Sequence, residues 1–454
     1  VSGSDMSEAA QTYLLGRAWV DGAVRDDVLV EVVAGRFSRV ETRAGDRAGA
    51  AARIDGLVLP GLANTHSHVF HRALRGRTQR GRGSFWTWRE QMYSLAVHLD
   101  PDQFHALARA TYAEMVAAGV SCVGEFHYLH HRPDGGAYDD PNLLGHALVD
   151  AAAEFGLRIT LLDTVYLSGG FGAPVEGVQR RFSDGDPDAW AARQAAMQAA
   201  LVPRTDARSG TAIHSVRAVP RGHLAAVVAA GVGRPRHVHL SEQVAENEAS
   251  MAAYGATPTQ VLDAAGVWGP LTSAVHATHV NAADIVVLGD SRAFVSVCPT
   301  TERDLADGTG PASALRAAGA RLTLGSDSHA VIDLFEEMRA VELDERLATR
   351  TRGHFAAATL LEAATTTGHG SLGWDDAGAI AVGHRADLVV LDTASPRTAG
   401  TGADQHTAVF AATSADVRRV MTDGVWRTTG DPDEAAALGR ELDRVIAAVW
   451  EGVG

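Results

Sequence analysis

The sequence predicts an α/β protein: a distorted (β/α)8 barrel of the TIM type with a small β-sandwich built from both chain ends. Three observations lead there. Short β-type runs broken by Gly and Asp turns fill both ends of the chain. The long middle alternates strand-like and helix-like stretches, the pattern of a parallel sheet with helical crossovers. Polar residues gather at the C-terminal ends of those middle strands, the face where such a barrel carries its chemistry.

Taken in order, "VSGSD" before Met6 reads as a cloning remnant outside the fold. Between Tyr13 and Leu59, "AWVDGAVRDDVLVEVVAGRFSRVE" predicts a small antiparallel sheet. The same texture returns in "ADLVVLDT" from Ala386 and "VRRVMTDGVWRT" from Val417, so the sandwich is assigned to 6–59 and 381–430. The barrel takes 60–380, with eight strands ending near His68, Tyr128, Tyr166, Ala218, Glu242, His279, Glu302 and His329. "DPDQFHALARATYAEMVAAGV" is a helix: Asp100 caps it, Pro101 sits in its first turn and Gly119 ends it. Phe104, Leu107, Ala108, Met115 and Val116 form its apolar face. The last part, 431–454, holds an amphipathic helix from Pro432 to Trp450 with no visible chemistry. No low-complexity linker or short-period repeat interrupts this order.

Bulk properties narrow the function. The 454 residues are 46% hydrophobic and 21% charged, enough apolar material for a large core. A formal net charge of -15 disfavours nucleic acid and anionic membranes as partners and leaves a small-molecule substrate. No run is long enough for a transmembrane helix and no secretory signal is visible. Two cysteines, Cys122 and Cys298, make no disulfide framework and fit a cytoplasmic location. All 40 Lys+Arg residues are arginine. A lysine Schiff base, a P-loop lysine and a carbamylated lysine bridging two metals are thereby excluded.

The chemistry begins in "LPGLANTHSHVFHRAL", where His66 and His68 leave a strand on the same side. Two imidazoles placed so are half of a metal site. His239 in "RHVHLSE" and Asp327 in "LGSDSH" end the fifth and eighth strands. Each has an ordinary alternative, a core histidine or a helix N-cap. Together at one end of the barrel, three imidazoles and a carboxylate suit a single Zn2+ with room for water, and Fe2+ fits the same set. His237 competes with His239, and depth along the strand favours His239. Glu242, three residues on, is placed to exchange protons with a bound substrate; its alternative is a surface glutamate opening a helix. His276 in "AVHATH" is placed to orient or polarise the reacting group, with His279 as a competitor that only packs.

This constellation resembles the amidohydrolase superfamily, and within it the mononuclear zinc deaminases. The longer motifs "NTHSHVFHRAL", "SFWTWREQMY", "EFHYLHH", "HSVRAV", "HLSEQ", "VHATH", "CPTTERDLADG" and "GSDSH" resemble the formimidoylglutamate deiminase family from the first barrel strand through the eighth. The resemblance implies zinc on His66, His68, His239 and Asp327, with Glu242, His276 and Asp327 as catalytic groups. It implies that His71, Arg89, Tyr128, His214 and Arg217 hold the glutamate part of N-formimino-L-glutamate, and that the protein is a homodimer acting in histidine degradation. Two arginines agree with this, because each guanidinium offers a carboxylate a two-pronged hydrogen bond. At His71 that family usually carries glutamine. The rival readings are a mononuclear-zinc aminohydrolase of another small substrate, such as a nucleobase derivative, and a non-catalytic scaffold.

Overall fold

The computed structural model describes residues 10–45 and 49–451. The "VSGSD" segment, the start of the 6–59 span and the last three residues of 431–454 lie outside them. Four strands open the chain: β1 (Gln11–Val20), β2 (Ala23–Val33), β3 (Arg36–Glu41) and β4 (Ala52–Pro60). Eight more alternate with helices: β5 (Leu62–Ser67), β6 (Val120–His127), β7 (Arg158–Val165), β8 (Ala207–Ile213), β9 (Arg236–Leu240), β10 (Thr272–His276), β11 (Phe294–Val297) and β12 (Arg321–Leu324). Three short ones follow, β13 (Leu388–Leu391), β14 (Val417–Thr422) and β15 (Val425–Trp426).

The terminal strands share one seven-stranded mixed sheet in the order β15-β14-β13-β4-β1-β2-β3. It rolls on itself, because Phe37 N donates to His384 O at 2.9 Å and Ala386 N donates to Gly35 O at 2.8 Å. The two leaves of the roll bury Leu15, Val28, Val30, Phe37, Val58, Leu388 and Met421 between them. Alternation along β2 supplies Val28, Val30 and Val32 to this core, since residues two apart face one side of a strand.

The chain passes from this sheet into the barrel through Gly61 alone. A Cβ at Gly61 would lie 2.2 Å from Ser121 Oγ and 2.7 Å from Asp387 Cβ, so no side chain fits at the crossing. β5 to β12 then pair in parallel and in sequence order. The ring is joined at its top: Asp327 N donates to His66 O at 2.9 Å, and His68 N donates to Asp327 O at 3.2 Å. Gly325 permits this, because a Cβ there would meet His66 Cβ at 2.6 Å.

The helix read from the sequence is α2 (Pro101–Ala117), preceded by α1 (Phe85–His98). Asp100 Oδ1 accepts from Gln103 N at 2.8 Å, and Gln103 Oε1 accepts from Asp100 N at 3.3 Å, closing a capping box. Asp100→Ala is expected to cost about 1 kcal/mol, the usual value of a lost N-cap. It should read as a lower denaturant midpoint at unchanged slope; an unchanged midpoint would mean that the cap contributes nothing. The C-terminal helix, Pro432–Trp450, packs on α2 and buries Leu442, Val445 and Val449. No described helix is long and apolar enough to cross a membrane.

Candidate active site

Parallel strands deliver side chains to a common point only at matched ends, and here β5, β9, β10 and β12 do so. His66 and His68 leave β5, His239 lies in β9, His276 ends β10, and Asp327 follows β12. All five are buried. His239 Nε2 lies 3.2 Å from His66 Nε2 and 3.3 Å from His68 Nε2. Asp327 Oδ1 lies 3.4 Å from His66 Nε2 and 3.3 Å from His68 Nε2. A tetrahedron with ligands about 2.0–2.1 Å from its centre has edges of about 3.3 Å. Four of the six edges among these donors thus stand near the spacing that one divalent ion requires, and His66, His68 and Asp327 have donor atoms all within 4.8 Å of one another.

The far ring nitrogens support that use. His68 Nδ1 faces Phe126 O at 3.0 Å, and His239 Nδ1 faces His214 O at 2.9 Å. A carbonyl can only accept, so each Nδ1 holds the proton and each Nε2 keeps its lone pair. His66 Nδ1 has no such partner among the described residues. Burial, above all, pushes His66, His68 and His239 below the usual histidine range, which keeps them neutral as ligands. His237 stands apart: its ring is stacked 6.5 Å from His66, and neither nitrogen has a hydrogen-bond partner among the described residues. His279 also points elsewhere, with Nε2 2.8 Å from Asp307 O.

Beside the four donors lies a cluster of titratable groups. His276 Nε2 is 3.8 Å from Glu242 Oε1 and 3.8 Å from Asp327 Oδ2, while His276 Nδ1 is 3.3 Å from Glu302 Oε1. Burial opposes a charge on His276, but Glu242, Glu302 and Asp327 together outweigh it and raise the imidazole to about 10. Glu242 is pushed up to about 7, by burial first and then by Asp327, with His276 opposing. The backbone is strained here too: Ser241, His276 and Asp327 have φ of 50°, 68° and 40°. Non-glycine residues in that region are uncommon and cluster at functional sites.

Above the cluster opens a narrow pocket. Of the residues the sequence assigns to metal, catalysis or substrate, all line it except His66, which is fully buried. Arg89 comes from α1; its Nε donates to Tyr93 Oη at 2.8 Å, and its guanidinium carbon lies 4.8 Å from the Tyr93 ring. Among the described residues no carboxylate is within 4.0 Å of Arg89. Arg217 has one, Glu246, with Nε to Oε1 at 3.6 Å. Tyr128 Oη meets His71 Nε2 at 2.8 Å. His214 packs its ring on Tyr166 at 4.8 Å, and burial, Arg217 and Arg89 hold it well below the usual range.

The sequence reading did not assign Tyr93, Phe182, Glu302 or Glu246. Glu302 stands in the quoted "CPTTERDLADG" motif, but its role follows only from the approach of β11's end to β10. Glu125 was also missed. It accepts from Ser67 Oγ at 2.5 Å and Val69 N at 2.7 Å, on either side of His68 in the chain, and burial pushes its carboxyl up to about 8.

Residues 57–427 match the family model described as "Amidohydrolase family". The chain is 36% identical to the formimidoylglutamate deiminase of Pseudomonas aeruginosa, over 96% of this chain and 99% of that protein. It is 31% identical to a 5-methylthioadenosine/S-adenosylhomocysteine deaminase of Halobacterium salinarum, over 88% of this chain and 87% of that one. A solved amidohydrolase from Brucella melitensis superposes with a TM-score of 0.89 at 31% identity, covering 97% of this chain and 99% of that one.

Proposed function

Because the chain belongs to the amidohydrolase family, we propose that it hydrolyses N-formimino-L-glutamate to N-formyl-L-glutamate and ammonia, as one step of histidine degradation. The observation that carries this reading is the pair Arg89 and Arg217 lining the cavity that also holds His68, His239 and Asp327. A linear substrate with two carboxylates and an amidine uses both ends of such a cavity; a neutral base has no use for two guanidinium groups.

His66, His68, His239 and Asp327 would hold one ion per chain, Zn2+ or Fe2+. When bound it supplies Lewis acidity and lowers the pKa of water toward neutrality. Asp327 is placed to take the proton lost by the attacking water. Oxygen adds to the formimino carbon, and the carbon–nitrogen bond to the amino group breaks. Glu242, with its carboxyl raised toward neutrality, can give and take protons at the substrate nitrogens. His276 stands against the same site, its ring held from behind by Glu302. The leaving nitrogen departs as ammonia once protonated by Asp327 or Glu242. Arg89 and Arg217 each take a carboxylate, with Tyr128, His71 and His214 completing that end. The reading extends to a cytoplasmic homodimer, and to a division into a sandwich of 6–59 and 381–430, a hydrolase barrel of 60–380 and a helix of 431–454.

The test is ammonia release from N-formimino-L-glutamate by purified protein supplied with zinc, against 5-methylthioadenosine as the competing substrate. Turnover of the nucleoside alone would overturn the proposal. Arg89→Met and Arg217→Met keep bulk and remove charge. Each is expected to lower kcat/KM by about one to two decades, the value of a lost charged hydrogen bond of about 1.5–3 kcal/mol. Unchanged kcat/KM in either variant would remove that arginine from the site.

A further inference from the structure

Helix α1 lays one face on the cavity. Phe85, Trp88, Arg89, Met92 and Tyr93 all line it, at the i, i+3, i+4, i+7, i+8 spacing of a single helical stripe. The opposite face is open to solvent, with Trp86 41% exposed. The helix begins after "RGRTQRGRG", a polar, glycine-rich stretch that is largely exposed. Its other end is held differently.

Arg181 is completely buried, and its guanidinium is spent on carbonyls. Nη1 donates to Ala96 O and, at 3.4 Å, to Val97 O; Nη2 donates to Leu99 O at 2.9 Å. The carbonyls of Ala96 and Val97 are among the last four of α1, which have no partner inside the helix and carry the negative end of its dipole. Nε donates to His131 O at 2.9 Å. The backbone carbonyl of Arg181 in turn accepts from His130 N at 2.9 Å and His131 N at 3.0 Å. The segment so gripped follows Tyr128 directly. Phe182, the next residue, packs its ring on Tyr128 at 5.0 Å, Tyr166 at 5.5 Å and Tyr93 at 6.0 Å.

We infer that Arg181 is a positioning residue: it fixes the C-terminal end of α1 to the Tyr128 segment, and so sets where Arg89 meets the substrate carboxylate. This rests on the dicarboxylate reading above. It goes beyond it in assigning substrate discrimination to a side chain that touches no substrate. A guanidinium suits the task, because one planar group serves four carbonyls on two separate segments. An ammonium at the same place cannot reach them all.

The first measurement needs no substrate. Hydrogen exchange of the 85–98 amides is compared in wild type, Arg181→Lys and Arg181→Met. Exchange there is expected to speed by about tenfold or more in Arg181→Met and less in Arg181→Lys, with β5 to β12 unchanged. No change, or an equal rise across the barrel, overturns the inference. If Arg181→Met does not fold, the intermediate rise in Arg181→Lys decides in its place.

The second measurement uses N-formimino-L-glutamate with Arg181→Lys, Arg89→Met and their double variant. KM is expected to rise about tenfold in Arg181→Lys with kcat little changed, and the double variant should lose no more than Arg89→Met alone. Additive losses, or a fall in kcat at constant KM, overturn it. If wild type does not act on this substrate, the dicarboxylate reading fails. The exchange result then still decides whether Arg181 anchors α1.

Discussion

His239→Ala should strip the metal and at least about 10³-fold of the activity together, as loss of Lewis-acid assistance worth several kcal/mol requires. The reason is geometric. His239 Nε2 stands within hydrogen-bonding distance of both His66 Nε2 and His68 Nε2, so it supplies one corner of the proposed donor set. Alanine leaves three donors, with Asp327 the only anion among them. His237→Ala is the control, because that ring lies behind His66 rather than in the group. Elemental analysis and turnover on the same preparations decide the matter. Full metal and activity in His239→Ala, or their loss in His237→Ala alone, would reverse the assignment. One ion per chain is expected in wild type, since a chain without lysine cannot form a carbamate bridge to a second.

Glu242→Gln should lower kcat by about 10²- to 10⁴-fold, the range for losing a general acid–base, while metal content stays near wild type. Glutamine keeps the shape and a hydrogen-bonding oxygen but cannot carry a proton between water and nitrogen. The carboxyl is suited to that exchange because burial raises it to about 7, so both of its forms are populated near neutral pH. KM should change far less than kcat, because the carboxylate end of the substrate is held elsewhere. A variant with near-native kcat would return Glu242 to a structural role.

Much of this site was legible along the chain because barrel topology turns sequence position into place. His66, His68, His239, His276 and Asp327 each lie at or just past the C-terminal end of a strand, and a strand end is recognisable from an apolar run that stops. The α2 helix was equally plain, since Asp100, Pro101 and Gly119 are local signals and local physics sets a helix end. What stayed hidden is non-local. Glu302 meets His276 and Glu246 meets Arg217 only after strands and helices far apart in sequence are side by side. Arg181 reads as one more arginine until its carbonyl partners are in place. The strained backbone at Ser241, His276 and Asp327 left no trace either, because none of them is glycine and positive φ there is imposed by packing. The roll of the terminal sheet was anticipated as a sandwich from its texture, but the hydrogen bonds between Gly35–Phe37 and 383–386 that close it follow from no motif.

The place of β4 in that rolled sheet bears on how the protein is made. β4 pairs with β1 on one side and with β13 on the other, Val58 opposite Val390 and Leu59 opposite Val389. On the ribosome β1 to β4 emerge first, whereas β13 emerges only after the entire barrel. Until then the Leu57–Pro60 edge offers unpaired backbone groups beside apolar side chains, which is a template for joining another chain. Pairings that wait on distant sequence also form slowly. Nascent or truncated chains ending before Leu388 should therefore aggregate at concentrations where the finished protein stays in solution, and the hazard lies at the junction that threads the sheet into the barrel.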